Sequence, residues 1–104
     1  MVYRVKAEIR ESEAAAFYRA LTDGTIQQQK PDGAEIVSAM RAAKITAPGR
    51  VEWYGTCFCE SPLKHERETV YDKYLADITT EPMEDYGAVH GGSFLSCLED
   101  AASG

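Results

Sequence analysis

Glu35-Ile36-Val37-Ser38-Ala39-Met40-Arg41-Ala42-Ala43-Lys44-Ile45-Thr46-Ala47-Pro48-Gly49-Arg50-Val51-Glu52-Trp53-Tyr54-Gly55-Thr56-Cys57-Phe58-Cys59 is the stretch on which the fold turns. Its second half is clear. Val51 to Cys59 alternates, with Val51, Trp53, Gly55, Cys57 and Cys59 on one side and Glu52, Tyr54, Thr56 and Phe58 on the other, which predicts a strand. Pro48-Gly49 suits the two central positions of a type II turn. The first half is divided. Ala39, Met40, Ala42 and Ala43 favour a helix, whereas Ile36, Val37 and Ile45 are β-branched and a turn follows directly. Taking 35–46 as a strand makes a hairpin with 50–59.

The flanks fit that hairpin. Val2 to Ile9 alternates strictly, with Tyr3, Val5, Ala7 and Ile9 against Arg4, Lys6, Glu8 and Arg10, so it reads as a strand with one buried face. Ser12 suits an N-cap, Ala14, Phe17, Tyr18 and Leu21 fall at helical spacing, and Asp23-Gly24 ends that helix. Ser61-Pro62 opens a second helix. Leu63, Val70, Tyr74 and Ile78 form its apolar stripe, while His65, Glu68, Thr69 and Asp72 point to water. Pro82 breaks the chain, Tyr86 to His90 reads as a last strand, and Ser93 caps a short final helix holding Phe94, Leu95 and Leu98.

The expected fold is therefore a single α+β domain over 1–104. Its order, strand–helix–strand–strand–helix–strand, is that of the ferredoxin-like (split βαβ) antiparallel sheet. Two helices lie on one face, and a short C-terminal helix follows. Both sides of the third strand look apolar enough to need cover, so the bare face predicts a sheet-to-sheet homodimer, with the terminal helix as the rival cover.

Composition narrows the function. Hydrophobic residues make up 44% and charged residues 27% of the 104, a globular balance. The formal net charge of −6 disfavours nucleic acid and anionic membrane surfaces as partners. The acid is concentrated late: residues 60–104 carry three basic and ten acidic side chains. That makes the acidic second helix a candidate dock for a basic protein partner. No apolar run reaches membrane-spanning length, and the alternating N-terminus is unlike a signal peptide. Three cysteines are too few for a secreted disulfide scaffold, so a cytoplasmic location is expected.

The residues with chemical potential are few. Cys57 and Cys59 share one strand face and could hold a soft metal or form a strained disulfide, against the simpler reading of packing thiols. Trp53 and Tyr54 are candidate ligand-lining aromatics. His65 and His90 are candidate ligand or proton-transfer groups, His90 standing before Gly91-Gly92 at a strand end. No phosphate loop, nucleophile elbow or zinc-protease motif occurs, and no cofactor is expected.

The element order resembles that of the dimeric α+β barrel monooxygenases, including haem-degrading members that use an Asn, a Trp and a His. Trp53 and His65 stand here in similar order, and the chain contains no asparagine. The resemblance implies a cofactor-poor enzyme as the alternative to a non-catalytic domain that binds a partner or small ligand. A thiol or soft-metal protein using Cys57 and Cys59 is the third reading.

Overall fold

A computed structural model describes residues 2–29, 33–56, 67–85, 87 and 89–103. The first strand, β1 (Val2–Ile9), buries Tyr3, Val5 and Ala7 and leaves the residues between them half-exposed, as its alternation predicts. A 3-10 turn at Glu11–Glu13 leads into α1 (Ala14–Thr22), so Ser12 sits inside that turn rather than capping the helix. Ala14, Phe17, Ala20 and Leu21 form the buried stripe of α1. Gly24, at φ 91°, ends it where a side chain would be strained.

The divided stretch resolves as both things. Gly33–Ala42 is a helix, α2, and only Lys44–Ala47 is a strand, β2. The expected strand over 35–46 is thus corrected to a helix followed by a short strand. The reason is periodicity: Gly33, Ile36, Val37 and Met40 are buried at helical spacing, and the alanines carry the helix propensity. Met40 consequently lies in the helical layer. The predicted turn is present. Ala47 pairs with Arg50 around Pro48-Gly49, and Gly49 has φ 76°. A register shift between Ile45 and Ala47 supplies the extra twist that a type II turn lacks. The strand β3 (Arg50–Thr56) follows.

The second half departs further from expectation. A π-helical turn, Arg67–Tyr71, runs into a short helix, α3 (Asp72–Tyr74), and the chain then becomes a nine-residue strand, β4 (Leu75–Met83). The helical stripe does not reach Ile78. The run Ile78-Thr79-Thr80 is β-branched, and pairing it with β1 satisfies that strand's open edge. Pro82 does not break the chain; it is tolerated because β4 is an edge strand. A bulge opposite Ala7 places Asp77 at φ 52°, a conformation aspartate accepts more readily than most residues. The strand expected over 86–90 is absent from its described residues, Gly87, Val89 and His90. Instead Gly92–Ser93 forms a two-residue strand, β5, before the final helix α4 (Phe94–Ser103). Ser93 does cap that helix, its Oγ accepting the Ser96 N–H at 3.2 Å.

The five strands form one antiparallel sheet in the order β4-β1-β3-β2-β5. The helices build a layer on one face. Phe17 stacks on Tyr74 at 4.5 Å and meets Phe94 edge-on at 5.9 Å, which ties α1, α3 and α4 together. Val5, Val51 and Trp53 close the core from the sheet side. The terminal helix therefore belongs to this layer and does not cover the other face. No helix among the described residues is long and apolar enough to cross a membrane.

Candidate site on the open face of the sheet

Strand alternation sends the remaining side chains of β1 and β3 to the face opposite the helices. Arg4 lies directly across from Tyr54, Lys6 from Glu52, and Glu8 from Arg50. On β2, Lys44 is the other cross-strand neighbour of Glu52. On β4, Glu81 is opposite Arg4 and Thr79 opposite Lys6. Among the described residues this face is charged. The apolar patch behind the expected sheet-to-sheet dimer is not what they present, because the side that carries Tyr54 also carries Arg4, Lys6, Glu8 and Glu52.

Glu52 is the anomaly. It is only 5% exposed, the one charged side chain among the buried described residues. A carboxylate taken out of water needs its oxygens satisfied. Arg4 supplies one oxygen twice, with Nε at 3.0 Å and Nη2 at 2.8 Å from Oε1. The Thr46 hydroxyl donates to the other, Oε2. Burial pushes the Glu52 carboxyl up, but the hydrogen bonds from Thr46 and Arg4 and the charges of Arg4 and Lys6 outweigh it, and the group is held below the usual carboxylate value. The Glu52 hydrogen bond and charge in turn raise Arg4. Glu52 is thus a fixed anion in the middle of the sheet. The register shift at Thr46 lies just where the hydroxyl is delivered to it. A second ion pair on this face, Arg50 Nη2 to Glu8 Oε1 at 3.2 Å, is exposed and weaker.

A connector borders the site. It leaves β4 at one edge of the sheet and enters β5 at the other, so it traverses the sheet's width. At Gly87 a Cβ would stand 2.5 Å from the Tyr54 hydroxyl, and at Gly91 it would stand 2.1 Å from the Ile45 carbonyl oxygen. Both glycines let the backbone approach closer than any side chain permits.

The residues singled out from the sequence do not converge. Trp53 is 2% exposed and packs in the core, its ring 5.1 Å from that of Tyr71. Tyr54 is half-buried on the opposite face, so no ligand can be stacked by both. His90 is exposed on the connector. Cys57, Cys59 and His65 lie outside the described residues. Cys97 is a free, exposed thiol on α4. No three His, Cys, Asp or Glu side chains among the described residues gather to hold a metal ion. On the segment expected as an acidic second helix, Glu68 in the π-helical turn and Asp72 at the start of α3 are exposed, with Arg67 Nε 3.3 Å from Asp72. A shallow depression of about 250 Å³ lies on the helical side, lined by Gln27, Ala34, Val37, Ser38 and Arg41. It touches none of these candidates.

No sequence motif marks Glu52, Arg4 and Thr46 as a site. One signal was present: an acidic residue on a mid-sheet strand, flanked in register by basic residues of the first strand. Compared with protein-family models, curated proteins and solved structures, the chain matches none.

Proposed function

We propose that this chain is a small, cytosolic, non-catalytic binding domain of ferredoxin-like design, and that the open face around Arg4, Glu52 and Tyr54 is its recognition surface. The observation that carries the reading is the buried, fully bonded Glu52 carboxylate on a face that holds no helix among the described residues. Stability alone does not favour such a group, since apolar residues in its place cost less desolvation. A fixed charge array on a rigid sheet is instead what specific polar recognition uses. The ferredoxin-like reading is supported by the central position of β1 and β3 and by helices packed on one face. The added edge strand β5 and the extra helix α2 are this chain's departures from it.

The test is a thermal-shift screen of small molecules and short peptides against three proteins: the wild type, Tyr54→Ala and Arg41→Ala. A ligand at a hundred times its Kd stabilises by about 2.7 kcal/mol. In a domain of this size that raises Tm by roughly 10 °C or more. The reading predicts hits that Tyr54→Ala loses and Arg41→Ala keeps. Hits lost only in Arg41→Ala would move recognition to the helical-side depression and overturn it.

A further inference from the structure

We infer that the row Lys6–Glu52–Lys44 takes a small dianion, a molecule with two carboxylate or phosphate groups. This rests on the open face being the recognition surface and names the chemistry of its ligand. The register makes Lys6 and Lys44 the two cross-strand neighbours of Glu52, one on each side. In a sheet that only balances its charges, those lysines would be the partners of Glu52. They are not. Arg4 takes Oε1 and Thr46 takes Oε2, so both oxygens are committed elsewhere. Neither lysine has an ion pair among the described residues. Lys6 acts on Glu52 only through space. Of the other acids on this face, Glu8 pairs with Arg50 and Glu81 lies opposite Arg4.

Two half-buried lysines are therefore left over on one side of the sheet, in a chain whose net charge is −6. Strand spacing puts their Cα atoms about 10 Å apart. Flexible lysine stems can close that span onto two acidic groups of one molecule. Arg4 offsets the Glu52 charge beneath it, and the fixed carboxylate holds Arg4 in place.

Isothermal titration at low ionic strength tests this with two probes, inorganic pyrophosphate and succinate, which separate phosphate from carboxylate ligands. The protein is the full chain, as wild type and as the Lys6→Gln/Lys44→Gln variant, whose changes lie on the face opposite the hydrophobic core. The inference predicts one equivalent bound by at least one probe, about tenfold weaker in the variant and weaker again as salt rises. Failure of both probes to bind, or binding that the variant retains in full, would overturn the dianion assignment. The recognition surface itself is judged separately, by the Tyr54→Ala screen.

Discussion

Trp53 and Glu52 are neighbours on one strand and live in different solvents. Trp53 points into the helical layer, touches Tyr71, and is one of the largest fully buried side chains. Glu52 points the other way and is nearly as well buried, but by polar partners. The helical face is held by area removed from water, which is non-directional and tolerant of exchange in kind. The open face is held by hydrogen bonds to a charge, which are directional and fail when a single partner is lost. One strand thus serves two different physical regimes, and the difference separates the part of the molecule that folds it from the part available to recognise something.

Breaking the helical face has the largest expected effect. Trp53→Ala removes the central ring of the core and should cost about 3–5 kcal/mol. That is a large part of the roughly 5–15 kcal/mol available to a domain, so thermal denaturation should show a loss of order 15 °C or outright unfolding. On the open face, Glu52→Gln keeps the shape but removes the charge that Arg4 and Thr46 serve. Its expected cost is about 1–3 kcal/mol, read from urea unfolding midpoints.

Acid sharpens the contrast. Glu52 has a depressed folded-state pKa, so its contribution is complete above the unfolded carboxylate value of about 4.3 and is lost as pH falls through the lower folded value. The stability gap between wild type and Glu52→Gln should hold from neutral pH to about 4.5 and close below it. A gap that narrowed already above pH 6 would contradict the geometry. Smaller still is Gly87→Ala, whose methyl group meets the end of the Tyr54 side chain. It should cost under about 1 kcal/mol and speed hydrogen exchange at Val89 and His90 without touching the core. Last comes Arg50→Gln, which breaks the exposed pair with Glu8. It should move stability by less than about 0.5 kcal/mol.

Local patterns read directly from the sequence wherever one period dominated. The alternation of Val2 to Ile9, the Pro48-Gly49 turn, the strand from Val51 and the Ser93 cap are all present. Reading failed where two periods overlapped. Ile36, Val37 and Met40 satisfy a helix as well as a β-branched strand, and the alanines decided it. Val70, Tyr74 and Ile78 share a four-residue spacing, yet the last of them belongs to β4, because β1 offered an edge to pair with. The open-face cluster was harder. Arg4, Thr46 and Glu52 are scattered along the chain, and only the sheet register brings them together. Judging Tyr54 by its own hydrophobicity suggested an apolar face, whereas its cross-strand neighbours make that face charged.

The most direct test of the two-face account is a map of backbone amide shifts as a ligand from the thermal-shift screen is titrated into the chain. The account predicts saturating shifts at Arg4, Lys6, Glu52, Tyr54 and Lys44, with α1 and α4 unmoved. Shifts centred on Val37, Ser38 and Arg41, with β1 and β3 silent, would contradict it and assign recognition to the helical side.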